Sequence, residues 1–347
     1  KITASIATDS TVDDLATLTG TNAYTIVINA VDATGSIASE LNAIDAATSV
    51  QVDASAITDI FGDYSDITDL YGSDGVFGLG NEAITISDEL TVTQANILDD
   101  LTTGVITATI GSALVSELLD ESTPLLDANE NNAYTISISE EDAAVSASDL
   151  NAINAITSIA VNLANVNSIT ASDFTDLTTL NGNRDEFSNI NGIAAIILTD
   201  NGGGTDSIDY GTLETIIDEY QDNFNSSAVF SFQSGDTIVI DSASELSAFL
   251  ADLASGAIVL TDQSVTIDSA APITVSQAND IDVLTEGTIK ASIDTDSTVD
   301  DLVNLTGTNA YTIVINSVDA TGSTASELNT ILDALITVGI PELSFGS

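Results

Sequence analysis

Two kinds of apolar pattern alternate along this 347-residue chain. The first spaces apolar residues three or four positions apart, as in Val12, Leu15 and Leu18, and this spacing predicts one face of a helix that Ser10 or Thr11 can cap. The second is a run of β-branched and aromatic residues, such as Tyr24–Ile28, which predicts a strand. The chain therefore begins with a helix followed by a strand.

The same order of helix and then strand recurs at intervals of roughly 20 to 35 residues, which is a common length for a structural repeat. The predicted pairs are Ser39–Ala46 with Ser49–Val52, Thr93–Leu101 with Val105–Ile110, Ser148–Ile156 with Ser158–Val161, Ser244–Leu253 with Ala257–Leu260, and Ser276–Leu284 with Thr288–Ile293. Tyr210–Tyr220 predicts a further helix. Strands that are separated by helices need crossover connections, which indicates parallel sheets.

The predicted fold class is therefore α/β, arranged as a repetitive, solenoid-like array of short helix–strand units with parallel β-sheet. The continuous apolar run Ile193–Leu198 agrees, because a parallel strand covered by helices need not alternate between apolar and polar residues. The alternative is a row of immunoglobulin-like β-sandwich domains, in which the helical segments would have to be loops.

A long internal repeat carries most of the functional inference. Ile2–Ile44 matches Ile289–Ile331 at a constant offset of 287 residues, with seven differences over 43 positions and no gap. Two explanations remain open: a tandem duplication of a long module, or two copies kept alike because both ends perform the same task.

An older repeat lies inside the long one. Asn22–Ile26 returns as Asn132–Ile136, and Leu90–Asn96 returns as Ile273–Asn279. These matches divide the chain into repeat module a over residues 1–104, a diverged copy b over 105–204, a shorter module c over 205–287, and the start of the next long repeat with a tail over 288–347.

The charge balance excludes several classes of partner. The chain has 54 acidic residues and three basic ones, a formal net charge of −51, so it lacks the basic surface that nucleic acids and anionic lipids require. It contains no Cys, Met, Trp or His, which removes disulfides, soft-metal sites and the usual neutral-pH general base. No apolar run is long enough to span a membrane.

Oxygen-rich turns make Ca²⁺ the possible cofactor, because calcium takes six to eight hard oxygen ligands in flexible geometry. The candidate ligands are Asp74, Asp127, Asn129, Asp200 and Asp206. The competing interpretation is ordinary turn chemistry, in which Asn, Asp and Gly supply left-handed conformations. None of these turns has the spacing of an EF-hand loop.

Other polar and aromatic positions are better explained structurally than catalytically. The pairs Asp13/Asp14 and Asp300/Asp301 recur at equivalent helix starts, and Asp99/Asp100 and Glu140/Glu141 are similar acidic pairs, so we expect them to favour helix dipoles or a solvated face. The recurring Tyr24, Tyr134 and Tyr311 predict core or strand-edge packing in preference to a sugar-stacking platform. The sequence therefore predicts that the chain is not an enzyme.

The phrase Ile273–Asn279, followed by an acidic helix and an Ile-rich strand, resembles repeats of very large bacterial surface proteins, including cyanobacterial adhesin-like ones. The resemblance implies an extracellular fibre, stalk or surface layer, usually in the presence of Ca²⁺, and it transfers no functional residue. We expect a secreted structural protein that associates with itself along an axis. The alternative functions are a Ca²⁺-dependent adhesin module that binds glycan or a cell surface and, less in keeping with the sequence, a polysaccharide-degrading β-helix enzyme.

Overall fold

A computed structural model describes residues 1–29, 34–127, 132–199, 207–315 and 323–333, together with the backbone of residues 343–345. The helices in these residues are α1 (Val12–Ala16), α2 (Ala38–Ala47), α3 (Tyr64–Gly72), α4 (Val92–Asp99), α5 (Val115–Leu118), α6 (Ala147–Asn154), α7 (Phe174–Gly182), α8 (Tyr210–Asn223), α9 (Ala243–Ser255), α10 (Val275–Asp282), α11 (Val299–Leu302) and α12 (Ala325–Asp333). The strands are β1 (Thr3–Ser5), β2 (Ala23–Thr25), β3 (Ser36–Ile37), β4 (Val52–Asp53), β5 (Asp59–Gly62), β6 (Val76–Phe77), β7 (Ala83–Leu90), β8 (Ile106–Ile110), β9 (Ala133–Thr135), β10 (Ala144–Ser146), β11 (Val161–Asn162), β12 (Ser168–Ala171), β13 (Phe187–Ser188), β14 (Ala195–Leu198), β15 (Ser207–Asp209), β16 (Val229–Ser231), β17 (Thr237–Ile240), β18 (Ile258–Val259), β19 (Ser264–Ile267), β20 (Ile289–Ser292), β21 (Ala310–Ile315) and β22 (Leu343–Phe345).

The chain divides into two compact units, of which the first comprises Lys1–Val145, Asp149–Val166 and Asp185–Gly192. Its largest sheet has the strand order β3-β5-β7-β8-β9, and smaller sheets pair β1 with β2, β4 with β6, and β11 with β13. The strand pairs in these sheets are parallel. Helix α2 packs on α1, α3 and β5, and α4 packs on β7 and β8.

The second unit comprises Ser146–Ser148, Asn167–Arg184 and Ile193–Ser347, within the limits of the described residues. One of its sheets contains β12-β14-β16-β18, and the other has the order β15-β17-β19-β20-β21-β22. These pairs are also parallel. Helix α8 packs on α7, α9 and β17.

Paired strands come from segments that follow one another in sequence. Partner residues lie between 20 positions apart, as in Lys290 with Ala310, and 34 positions apart, as in Ala195 with Val229. The prediction of an α/β fold with parallel sheets is confirmed. The immunoglobulin-like sandwich alternative is wrong, because the strand pairs described above are parallel and the segments between them are helices, whereas a sandwich is antiparallel.

The core lies on the inward face of the strands, where the helices bury their apolar stripes. In β17 the side chains of Ile238 and Ile240 are buried while their neighbours are half-buried, as the two-residue period of a strand requires. Helix α2 buries Ala38, Leu41 and Ile44 at helical spacing. The β-branched side chains of the strands pack against these buried helix side chains, and this packing stabilises the short strands.

Polar side chains define where many helices begin. The hydroxyl of Thr11 accepts the amide of Asp14 at 3.1 Å, which confirms Thr11 as the predicted cap of α1. The same role falls to Asp63, Thr91, Asp173, Asp209, Ser242, Thr274 and Thr298. The acidic caps also place a negative charge at the positive end of the helix dipole.

The structure corrects some of the predicted bounds. Residues 63–66, for which no helix is predicted above, form the cap and first turn of α3, because the Asp63 carboxylate accepts the Asp66 amide at 2.8 Å. The strands expected at Ser49–Val52 and Ser158–Val161 begin later, at Val52 and Val161. The residues before them are hydrogen-bonded to the preceding segment, since the amides of Ser49 and Ser158 donate to the carbonyls of Asn22 and Asn132.

Candidate functional site

Threonine hydroxyls fasten successive segments at equivalent corners. Four of these hydroxyls donate to a backbone carbonyl of the segment before: Thr48 to Tyr24 at 2.7 Å, Thr102 to Glu82 at 2.7 Å, Thr157 to Tyr134 at 2.7 Å, and Thr285 to Gln263 at 2.6 Å. Each hydroxyl also accepts the amide two residues further on, at 3.0 or 3.1 Å. We call this arrangement the threonine bridge; it satisfies backbone groups that would otherwise lack partners at a turn.

At two of these bridges the chain passes very close to the segment before it. A Cβ atom at Gly104 would lie 2.2 Å from the carbonyl oxygen of Glu82, and one at Gly287 would lie 2.2 Å from that of Gln263. Only glycine fits such an approach. The corners formed by Thr102 and Thr285 are therefore two copies of one structure.

A second recurring element places an asparagine beneath a strand. The Asn132 side-chain oxygen accepts the Ile106 amide at 2.8 Å, and its nitrogen donates to Asp99 Oδ1 at 2.8 Å and to the hydroxyl of Tyr134 at 3.1 Å. We call this arrangement the asparagine corner. Asp99 is buried and ends α4, so the expected helix-dipole or solvated-face role of the pair Asp99/Asp100 is wrong for its first member.

The asparagine corner occurs twice more. Asn309 accepts the Ile289 amide at 2.8 Å and donates to Asp282 Oδ1 at 2.8 Å. Asn22 accepts the Ile2 amide at 2.9 Å and donates to the hydroxyl of Tyr24 at 3.0 Å. In each corner the asparagine stands two positions before a tyrosine, the motif that the sequence repeats.

The buried tyrosines belong to the core, as predicted for Tyr134 and Tyr311. Burial raises the pKa of both phenols well above the usual value, and the nearby carboxylates of Asp99 for Tyr134 and Asp282 for Tyr311 raise it further. Their rings are buried and cannot form a sugar-stacking platform. Tyr24, in the first copy, is half-buried.

Copies separated by 287 residues pair their strands in the same register. Strand β1 aligns Thr3 with Ala23 and Ala4 with Tyr24. Strand β20 aligns Lys290 with Ala310 and Ala291 with Tyr311, which are the same positions moved by 287. Helices α1 and α11 also begin at positions 287 residues apart, and so do α2 and α12.

Two clefts occur at positions that match at an offset of 183 residues. One, of about 770 Å³, is lined by Thr91, Val92 and Thr93 with the turn after β8. The other, of about 520 Å³, is lined by Thr274, Val275 and Ser276 with the turn after β20. Both are open, rich in hydroxyls and carboxylates, and placed at the start of a capped helix, so they are features of the repeat.

Two of the acidic groups that line these clefts are poorly suited to donating protons. The hydroxyl and amide of Ser122 and the amide of Thr123 lower the pKa of Asp120 to about 2. The Thr298 hydroxyl and amide similarly lower the pKa of Asp301. A general acid at neutral pH needs a pKa near the working pH, and these two carboxyls are held in the ionised form.

The pairs Asp13/Asp14 and Asp300/Asp301 lie in the first turns of α1 and α11, as predicted.

A different acidic residue, Glu82, is fully buried at a corner, where it accepts the Tyr71 hydroxyl at 2.7 Å and the Gly80 amide at 2.7 Å. Gln263 holds the related corner before β19, where it accepts the Thr261 amide at 2.7 Å. Glu82 and Gln263 therefore occupy equivalent positions, because each side chain accepts the amide two residues before it.

The residues predicted to bind Ca²⁺ are only partly covered. Asn129, Asp200 and Asp206 lie outside the described residues. Asp74 lies on an exposed turn, where its carbonyl accepts the Gln51 side chain at 2.7 Å, and Asp127 accepts the Asn132 amide at 3.2 Å. Among the described residues no group of three acidic side chains is arranged to hold a metal ion. Calcium binding stays a prediction.

Sequence reasoning missed the threonine bridges and asparagine corners as contacts. The asparagine was visible as part of the Asn-Ala-Tyr-Thr-Ile repeat, but its partner across the segment boundary was not.

Over the stretches that the structure describes, no helix combines the length and apolarity needed to cross a membrane. Neither a protein-family model nor a curated protein matches the chain.

Proposed function

We propose that this chain is a structural tandem-repeat protein of an extracellular fibre, stalk or surface layer, in which helix–strand segments form an open-ended α/β solenoid. The observation that carries the proposal is the shared register of β1–β2 and β20–β21 at an offset of 287 residues. A strand ladder that repeats in register with its long sequence repeat has the geometry for growth along one axis.

The recurring contacts support the same function. Threonine bridges, asparagine corners and clefts return at equivalent positions, as expected where every segment does the same mechanical work. The net charge of −51 and the absence of Cys suit a secreted protein that stays soluble in salt. The four repeat modules of the sequence interpretation remain predictions within this proposal.

Electron microscopy and fibre diffraction of the purified chain test the proposal. We expect filaments whose diffraction includes a meridional reflection near ~4.8 Å, the spacing of adjacent strands, because each segment adds one strand along the axis. Filaments should increase with ionic strength, since salt screens the repulsion between acidic copies. Dispersed particles at every salt concentration, with no ~4.8 Å meridional reflection, would contradict the proposal.

A second candidate is a glycan-binding adhesin module, which the two equivalent clefts favour. Their hydroxyl and carboxylate linings offer the hydrogen-bond partners that sugar hydroxyls need. A glycan array of the purified chain tests this candidate. The replacement Ser276→Trp, which fills one cleft, should abolish any specific signal from that cleft, and an array without signal rejects the candidate.

A further inference from the structure

Residues that are the same in the two long copies differ sharply in burial. Ile2 is 59% exposed, whereas Ile289, its equivalent, is 0% exposed. The same contrast holds for three further pairs: Ala4 is exposed and Ala291 buried, while Asn22 and Tyr24 are half-buried and Asn309 and Tyr311 are buried. Sequence cannot cause this difference, so the surroundings must.

The second copy is covered by the segment that precedes it, residues 261–288. Strand β19 pairs with β20 by aligning Val265 with Ile289 and Thr266 with Lys290. Beyond the sheet, Asp282 at the end of α10 accepts the side-chain nitrogen of Asn309 at 2.8 Å and the hydroxyl of Thr306 at 2.9 Å. The covering segment therefore contributes both a strand and a carboxylate acceptor.

A neighbouring asparagine on the same helix completes the contact. The side chain of Asn279 accepts the Thr306 amide at 2.9 Å and donates to the Asn304 carbonyl at 2.9 Å. Gly307 passes so close to Asp282 that a Cβ atom there would lie 2.0 Å from its carboxylate oxygen. The side chains of Asn279 and Asp282 therefore fit the sequence of residues 304–309 specifically.

The first copy carries the same groups. Thr19, Gly20 and Asn22 stand where the second copy has Thr306, Gly307 and Asn309. The two glycines share a left-handed backbone, with φ of +74° and +69°. Backbone alternation in β1 leaves the amides of Thr3 and Ser5 directed away from β2, because the carbonyl of Ile2 already accepts the Ala23 amide at 2.8 Å. This face can make every contact that the second copy makes.

We propose that the face formed by Ile2, Ala4, Asn22 and Tyr24 is a docking surface for residues 261–287 of a second copy of this repeat. This inference rests on the proposed structural function and specifies its interface. Strand β19 of the second copy adds to β1, and its Asp282 accepts the Asn22 and Thr19 side chains. The proposed contact uses the same strand pairing and hydrogen bonds as the contact between residues 261–288 and the second long copy.

A tandem chain tests the proposal, with residues 1–287 placed directly ahead of the full chain of residues 1–347. Its junction, Gly287 followed by Lys1, reproduces the step from Gly287 to Thr288. We expect the Thr3 amide of the trailing copy to exchange hydrogen about 100-fold more slowly than in the single chain, because its equivalent Lys290 is paired with Thr266 of β19. Unchanged exchange at this amide would overturn the proposal.

Two variants of the leading copy make the test specific. Asp282→Ala should return the exchange of the Thr3 amide towards the single-chain rate, because it removes the carboxylate that holds Asn22. Asp280→Ala removes the same charge from an exposed position on the same helix and should leave the protection intact. Equal effects of both variants would overturn the assigned contact.

The internal interface of the trailing copy serves as the folding control, since its Lys290 amide, in the strand that pairs with β19, should stay protected in every variant. Failure of the docking surface is distinguishable from failure of the fibre function. Filaments that form while the Thr3 amide exchanges freely reject the docking surface alone. A protected Thr3 amide in a tandem chain that never forms filaments rejects the fibre and leaves the docking surface in place.

Discussion

The three asparagine corners differ in how completely they are enclosed, and alanine substitutions should reveal that difference. In Asn132→Ala and Asn309→Ala the buried amides of Ile106 and Ile289 lose their acceptor, and the carboxylates of Asp99 and Asp282 each lose a donor. A buried donor without a partner costs about 1–3 kcal/mol. We expect a loss of that size for each of these two variants.

Asn22→Ala is the matched control, because it changes the same residue in the same sequence context. Ile2 is 59% exposed, so water can replace the lost acceptor of its amide, and the expected loss is at most about 1 kcal/mol. A gap of about 1–2 kcal/mol corresponds to roughly a 5- to 30-fold difference in the local opening equilibrium.

Amide hydrogen exchange is the suitable assay, because the chain forms two compact units and one global transition would mix them. Exchange should accelerate most in β8 for Asn132→Ala and in β20 for Asn309→Ala, and least in β1 for Asn22→Ala. If Asn22→Ala accelerates exchange in β1 as much as Asn309→Ala does in β20, enclosure is not what sets the strength of these corners.

Three further predictions concern the contacts between segments. Thr102→Val should destabilise the first unit by about 1–3 kcal/mol, since the Glu82 carbonyl and the Gly104 amide lose their shared partner. Amide hydrogen exchange in β7 and β8 measures this loss; Thr102→Ser should retain most of the protection, and equal losses would refute the bridge. Gly104→Ala should be destabilising because its Cβ meets a carbonyl, whereas Gly72→Ala, which meets nothing within 4 Å in α3, should stabilise by about 0.5–1 kcal/mol. Amide hydrogen exchange that changes in the same direction near both sites would refute this. Above pH 10 stability should fall, because burial raises the pKa of five tyrosines and only the unfolded chain ionises them readily. Absorbance at 295 nm should then rise together with the loss of circular dichroism, and ionisation well before unfolding would contradict the assignment. The five are Tyr71, Tyr134, Tyr210, Tyr220 and Tyr311.

Helices of ordinary length were predictable, because their apolar spacing and caps are local. The predicted Ser39–Ala46 and Ser244–Leu253 correspond to α2 and α9 with bounds shifted by one or two residues. Helix α3 was missed, because Asp63, Ser65 and Asp66 give its first turn the composition of a loop. The cap that decides between loop and helix is a single hydrogen bond, which composition alone does not show.

Short strands were harder to predict for a related reason. Strands such as β5 and β12 have only four residues, too few for a period to stand out, and their stability comes from a parallel neighbour 24 to 27 positions away. The threonine bridges likewise join positions 20 to 24 residues apart. Recognising them requires the register, which the sequence reveals only where long copies such as Ile2–Ile44 and Ile289–Ile331 repeat.

The equal register of β1–β2 and β20–β21 has a genetic consequence. Unequal crossing-over between the coding stretches for Ile2–Ile44 and Ile289–Ile331 would add or remove 287 residues while leaving each strand opposite its former partner. Such an event would change the number of residues by one whole repeat and reuse contacts that the chain already makes. Under the proposed solenoid, length can therefore change in whole steps of 287 residues.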